Sequence, residues 1–485
     1  MQDNGQQATS GDWRAFTVSV LGTFMATLDA GIVNTALPTI GHGFDASLPQ
    51  VQWVVASYFL VISCLLLLFG RMGDMYGRRR MYSIGFILFA LASALCGAAP
   101  SLAALIAARV GQGVGAAMLM ANSPGIIMAA FPGSTRGRAL GMVGLTVALG
   151  SLAGPGLGGL LIQGFGWRSV FYLSVPIGAL GVFLARRFLP RQERLRDETL
   201  DLAGAALFAV GMIGLLMAVT RGHEWGWSST PVLSGLGVAV AALGGFAAWE
   251  RRCTHPMLDL SLFRIWPFLS GNIVAFLAFM SMFSNAILLP FYLHGQQGLE
   301  PYAMGLVLSS LPLTMAVSAP LSGYLSERVN FATLTSVGLF VMCCGLVLLA
   351  LLDSNAPLWR VYLGQVVLGL GVGAFMSPNN NSVLSSAPQD KVGLVGGVLA
   401  LVRNVGMVTG IAVAITIFEG CQGRALSAGL EPGAAFMAGF RAALGTGAGL
   451  AAVGGCLSLY RRRLFGSKPA KTCTVVHKDV PAQQK

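Results

Sequence analysis

The chain has 485 residues, of which 55% are hydrophobic and 10% charged, with glycine at 64 positions and a formal charge of +12. Soluble domains carry about 25% charged residues, so this composition speaks against a soluble enzyme and for an integral membrane protein. The positive charge is broken into short clusters between apolar runs, which offer nucleic acid no continuous groove and suit anionic lipid headgroups.

Residues 1–12 are polar and slightly acidic, unlike the basic start of a cleaved signal peptide, so the first apolar run is expected to stay as an anchor. Runs able to cross about 30 Å of hydrocarbon begin near Trp13, Gln50, Met81, Leu102, Arg138, Ser169, Asp201, Pro231, Pro267, Tyr302, Phe331, Leu358, Gly393 and Ala434. They predict an all-α membrane protein of fourteen spans. The expected division is a cytoplasmic N-terminal tail (1–12), a six-helix bundle (13–187), a linker with two inserted helices (188–265), a second six-helix bundle (266–460) and a basic cytoplasmic tail (461–485).

Asp29 falls in the middle of the first run, in Leu28-Asp29-Ala30-Gly31-Ile32-Val33-Asn34. A carboxylate at that depth must meet water, meet a partner or hold a proton, so it is either a proton site or a hydrogen-bonded brace for its helix. Gly31, Asn34 and Pro38 beside it let the helix bend. Between the second and third runs stands Gly70-Arg71-Met72-Gly73-Asp74-Met75-Tyr76-Gly77-Arg78-Arg79-Arg80, a stretch too charged for hydrocarbon. It is expected to be a tight loop on the cytoplasmic face, with Asp74 free to pair with the flanking arginines. Arg109 opens Arg109-Val110-Gly111-Gln112-Gly113-Val114-Gly115 inside the fourth run, either snorkelling to the outer edge or facing a buried acid.

The fifth run holds Gly150-Ser151-Leu152-Ala153-Gly154-Pro155-Gly156-Leu157-Gly158-Gly159. No strand precedes its formal GxGxxG, so the glycines and the proline are read as a thin, bendable helix face suited to a hinge. Uncharged polar residues cluster in the second half, at Asn272, Ser284, Asn285, Asn379 to Asn381 and Asn404, with Arg403 beside the last. Together with Asn34, Tyr58, Phe276, Phe279 and Phe283 they could complete a greasy cavity, although for any single aromatic ordinary helix packing is the stronger explanation. No nucleophile, metal-ligand or nucleotide-binding motif is present, and the eight cysteines show no paired spacing and read as small hydrophobes.

About two dozen Lys and Arg fall on the side of Asp74, against Arg168, Arg221, Arg360, Arg424 and Arg441 on the other, which predicts both termini in the cytoplasm. A faint internal repeat relates Gly70 to Gly323, and Gly113-Val114-Gly115 to Gly371-Val372-Gly373. On the second pairing Arg109 is matched by Val367, which would concentrate the charge chemistry in the first half. Duplicated halves of this kind suit transporters that rock about a central site.

The residues now add up to a resemblance. From about residue 13 onward the chain resembles the fourteen-helix drug:proton antiporter branch of the major facilitator superfamily. Gly70 to Arg80, Arg109 to Ala117, Gly150 to Gly159 and Asp29 to Pro38 are each similar to one of its motifs, and Trp167-Arg168 with Pro176-Ile177-Gly178 resembles a further segment. The resemblance implies two six-helix bundles plus two inserted helices, in the cell inner membrane. It implies proton coupling through Asp29 and Arg109, and a cytoplasmic gate at Gly70, Asp74, Gly77, Arg78 and Arg79. Gly150, Gly154, Pro155, Gly158 and Gly159 would form the antiporter hinge, and the direction would be export of an amphipathic small molecule. The proton gradient would take the place of a cofactor, lipids and protons would be the other partners, and the need for a periplasmic adaptor is left open. Three positions depart from the pattern: Met75 stands where an arginine is usual, Gly31 where a threonine is usual, and the nearest second acid to the thirteenth span is Glu419 at its end.

Overall fold

The protein is described by a computed structural model covering residues 12–131, 133–190, 200–253, 257–326, 328–386 and 392–465. The first eleven residues, Arg191, Arg194, Arg196, Glu327, Lys391 and the tail beyond 465 lie outside the described residues, as do the side chains of Arg136 and Arg138.

Sixteen α-helices follow one another: α1 (Trp13–Phe44), α2 (Leu48–Val51), α3 (Trp53–Tyr76), α4 (Arg78–Gly97), α5 (Leu102–Ala130), α6 (Gly133–Phe165), α7 (Ser169–Tyr172), α8 (Ser174–Phe188), α9 (Leu202–Trp225), α10 (Thr230–Glu250), α11 (Trp266–Gly295), α12 (Pro301–Leu325), α13 (Phe331–Ala350), α14 (Leu358–Ser385), α15 (Val392–Ser427) and α16 (Pro432–Phe465). Thirteen helical stretches among them are long and apolar enough to cross a membrane. With the 33-residue α6 they make the fourteen expected. The short α2 and α7 are the first turns of the second and sixth spans, which run Leu48–Tyr76 and Ser169–Phe188.

Helix starts follow local chemistry. The Asp12 carboxylate accepts from the N–H groups of Arg14 and Ala15 at 3.0 and 3.2 Å, and Ser101 and Asp201 cap α5 and α9 in the same way. Proline opens α10, α11 and α12, where its missing N–H has no helical partner to lose.

The expected loop from Gly70 to Arg80 is a single residue. Helix α3 continues through Tyr76, α4 begins at Arg78, and only Gly77 interrupts them, at φ 91°. That angle is open to glycine and strained for other residues, which is why one residue suffices for the turn.

Helices α1, α3, α4, α5, α6 and α8 pack among themselves, as do α11 to α16. The two groups meet where α6 lies along α12 and α3 along α15, while α9 and α10 pair with each other and α9 rests on α3 and α15. Seen along the chain, α1 starts and α5 ends on one face: Asp12 N–H donates to Ala130 O at 3.0 Å, and Arg78 Nη1 to Gly125 O at 2.7 Å. That side is called the Asp74 face below.

Candidate functional site

Asp29 and Arg109 meet. Arg109 Nη1 donates to Asp29 Oδ2 at 2.5 Å, with 0% and 1% of the two side chains exposed. The pair does not stand alone: Gln112 Nε2 donates to the other carboxylate oxygen at 2.8 Å and to Ser93 Oγ at 2.8 Å. Arg109 also donates to Val54 O at 2.8 Å and to Gln112 Oε1 at 2.5 Å, and its guanidinium lies 4.2 Å from the centre of the Tyr58 ring. A buried ion pair repays its desolvation only when such further bonds satisfy the remaining donors and acceptors. Four helices, α1, α3, α4 and α5, contribute to that set. Of Arg109, Nη2 has no hydrogen-bond partner among the described residues. Gln112 is the residue that sequence reasoning passed over, although its place three residues after Arg109 puts both on one helix face.

The carboxylate finds a partner rather than the cavity. A central chamber of about 200 Å³ lies between the two helix groups, lined by Asn34, Tyr58, Phe279, Phe283, Asn285 and Asn404 among others. Asp29 and Arg109 stand behind Tyr58, which is shared between the pair and the chamber wall. Phe276 and Asn381 differ from expectation: neither lines the chamber. The α11 face passes through Ala275 and Phe279, and on α14 it is Asn380, one residue away, that reaches a second chamber while Asn381 is exposed. Five methionines, Met120, Met282, Met315, Met376 and Met407, also line the first chamber.

The second chamber, of about 220 Å³, shares Met120, Val147, Phe279, Met376 and Arg403 with the first and continues past Pro124 and Met128 toward the Asp74 face. At the opposite end the halves are closed against each other. There Gly159 faces Pro301 O and Tyr302, Gly305 faces Pro155 O, and the His42 and His294 rings meet edge to face at 5.3 Å.

The glycines of α6 divide between two neighbours. Gly150, Gly154 and Gly158, four apart, face α1, where a side-chain carbon on Gly154 would stand 2.9 Å from Gly31 Cα. Pro155 and Gly159 face α12. Gly31, the departure from threonine, is therefore the other half of a glycine-to-glycine crossing, and the Cβ of a threonine there would stand 3.3 Å from Gly154 Cα and Pro155 Cδ, tighter than ordinary packing.

At the Asp74 face, Asp74 accepts from Arg78 Nε and Nη2 at 3.1 and 2.7 Å, and Arg78 reaches on to Gly125 O. Arg79 donates to Arg186 O. Gly73 leaves room for the Asn122 amide, which donates to Phe69 O at 3.1 Å and Met118 O at 2.8 Å, and a side-chain carbon on Gly70 would stand 3.9 Å from Ala121 Cβ. These contacts join α3, α4, α5 and α8.

The repeat needs a correction of register. Gly115 packs on Gly85 O and Phe89 N, and Gly371 packs on Gly338 O and Met342 N, so Gly371 answers to Gly115 and not to Gly113. At that offset Arg109 is matched by Gln365 rather than Val367, and Asp29 by Asn285. The two amides are bonded, Asn285 Nδ2 to Gln365 Oε1 at 3.0 Å. Glycine pairs two residues apart look alike in sequence, and only the helix crossing shows which is equivalent.

Residues 19–411 match the Major Facilitator Superfamily. The chain is 36% identical over 407 residues to the riboflavin transporter RibZ of Clostridioides difficile (strain 630), covering 84% of this chain and 88% of that protein. It is 35% identical over 413 residues to the multidrug resistance protein Stp of Mycobacterium tuberculosis (strain CDC 1551 / Oshkosh), covering 85% and 76%. To the methylenomycin A resistance protein of Streptomyces coelicolor it is 33% identical over 397 residues, covering 82% and 83%. Among solved structures, a bacterial homolog of the human lysosomal transporter Spinster, inward-facing and unoccupied, superposes with TM-score 0.67 at 16% identity, covering 95% of this chain and 98% of that one. Fold, motifs and relatives agree, and the chain belongs to the major facilitator superfamily of membrane transporters, similar to members that confer drug and antibiotic resistance.

Proposed function

We propose that the protein is a proton-coupled antiporter that exports amphipathic, drug-like compounds across the inner membrane, with the Asp74 face and both termini in the cytoplasm. The observation that carries this reading is the sealed Asp29–Arg109 pair standing directly behind the chamber residue Tyr58. Protonating Asp29 removes the charge that balances Arg109, and a buried guanidinium without its counter-ion is costly. Taking up or releasing the proton is then tied to a rearrangement of α1 against α5. Because Tyr58 covers the guanidinium and also lines the chamber, that rearrangement would reach the substrate. The close α6–α12 contact is where the halves would roll.

A chamber lined by methionine and aromatic side chains suits several ligands, since methionine is flexible and polarizable and can repack. The similarity to RibZ and to the methylenomycin A resistance protein favours a second reading, a dedicated exporter of one metabolite or natural product. Proteoliposomes with an imposed pH gradient and a panel of unrelated dyes and biocides test both. A multidrug antiporter moves several of them and loses gradient-driven movement in Asp29→Asn, whereas a dedicated exporter moves almost none. Unchanged gradient dependence in Asp29→Asn would remove the proton site.

A further inference from the structure

We propose that the chamber selects organic anions, with Arg403 holding the negative group of the substrate; this rests on the transport reading above and names its substrate class. Arg403 lines both chambers, and no Asp, Glu, Lys or His is found among the described lining residues of either. The residue as a whole is half-buried. Among the described residues it makes no hydrogen bond or ion pair, which sets it apart from the buried arginines Arg109 and Arg461. Arg109 is neutralised by Asp29. Arg461 is held by Asn379, Ser382 and Pro267 O at 3.3, 3.0 and 3.4 Å. Arg403 is thus the unneutralised charge among described lining residues that are otherwise uncharged.

A second group points the same way. Asn404, next along α15, is 1% exposed and lines the first chamber, and its amide Nδ2 has no hydrogen-bond partner among the described residues. A buried N–H donor without an acceptor is unfavourable, and a guanidinium in apolar surroundings without a counter-ion more so. One carboxylate, phenolate or sulfonate on a flat aromatic body would satisfy both, the guanidinium by charge-assisted hydrogen bonds and the amide by a neutral one. The body would lie against the methionine and phenylalanine walls. A cation would meet Arg403 with no acid in the lining to compensate. Val147 of α6, from the first half, lines both chambers as well and carries no charge. The field inside is therefore one-sided, and an amphipathic anion would be held with its charge toward α15.

The test uses two xanthene dyes of similar size and opposite charge, fluorescein (anionic) and rhodamine 123 (cationic), with the purified full chain in lipid nanodiscs. Wild type should bind fluorescein at least about tenfold more tightly than rhodamine 123. R403Q should lose that preference and R403K should keep most of it, both with unfolding temperatures near that of wild type. Rhodamine bound as tightly as fluorescein by wild type, binding of neither dye, or a preference that survives in R403Q overturns the proposal. In proteoliposomes the two levels separate. Rhodamine moved by a pH gradient while fluorescein is ignored defeats the anion assignment and leaves the exporter standing, whereas a wild type that moves neither dye nor any of the panel defeats both.

Discussion

The two halves carry the same construction with different chemistry. In the first, α1 and α5 are joined by Asp29 and Arg109, a full ion pair hidden behind Tyr58. In the second, α11 and α14 are joined at the same places by Asn285 and Gln365, a neutral amide pair that lies in the chamber wall. The geometry of a helix crossing can be copied while its charge is not. An amide pair holds two helices at every pH, but a carboxylate–guanidinium pair can be broken by one proton. Under the proposed function the first half would sense protons, and the second, with Asn285, Asn404 and Arg403 in the lining, would meet polar groups of a ligand.

Exchanging the pairs is the sharpest way to break this contrast. Arg109→Leu leaves Asp29 buried without its partner, and should lower stability by about 3–5 kcal/mol, read as a lower unfolding temperature in detergent. The double variant Asp29→Asn with Arg109→Gln gives the first half the chemistry of the second. It should recover most of that stability and none of the gradient-driven transport. If the double variant still couples flux to the pH gradient, the charge difference between the halves has no part in coupling.

The glycine faces offer the next comparison. Gly154→Val drives a side chain into Gly31 and should cost about 1–3 kcal/mol by overpacking, with transport lost because α6 can no longer lie on α1. On α15, by contrast, nothing stands within 4 Å of where a side chain on Gly397 would point. Gly397→Ala should be neutral or stabilising by about 0.5–1 kcal/mol, as for any open helical glycine. Equal losses in both variants would mean that close approach is not what the α6 glycines provide.

In the second half, Gln365→Leu leaves the Asn285 amide unpaired and should cost about 1–3 kcal/mol, with ligand binding weakened and the proton-to-substrate ratio unchanged. A changed ratio would place coupling in both halves. The smallest effect on stability is expected at the Asp74 face. Asp74 is partly exposed, its pair with Arg78 is an ordinary surface ion pair, and Arg78 keeps its bond to Gly125 O. Asp74→Asn should therefore lower stability by only about 0.2–1 kcal/mol, measured by the same thermal unfolding.

Much of this was legible along the chain because hydrocarbon is an unforgiving solvent. Length of apolar run, breaks at charged residues and the rarity of ionisable groups inside the spans fixed the all-helical class, the fourteen crossings and the importance of Asp29 and Arg109. The four-residue spacing of Gly150, Gly154 and Gly158 already marked one face, though not what it faces. What the one-dimensional pattern could not give was distance between helices far apart in sequence. Eighty residues separate Asp29 from Arg109, and whether they meet, or each finds water, depends on how α1 and α5 cross. Likewise a slip of two residues in matching the halves hid Gln365 behind Val367, because glycines two apart carry the same letter and different faces.

Residue chemistry by itself determined that this chain lies in a membrane as a helical bundle, since each backbone polar group there must be satisfied within its own helix. Tertiary packing decided which charges are paired and which are not. It put Asp29 against Arg109 and left Arg403 facing the chamber, and it did so because side chains on different helices become neighbours only through the angle and register at which those helices cross.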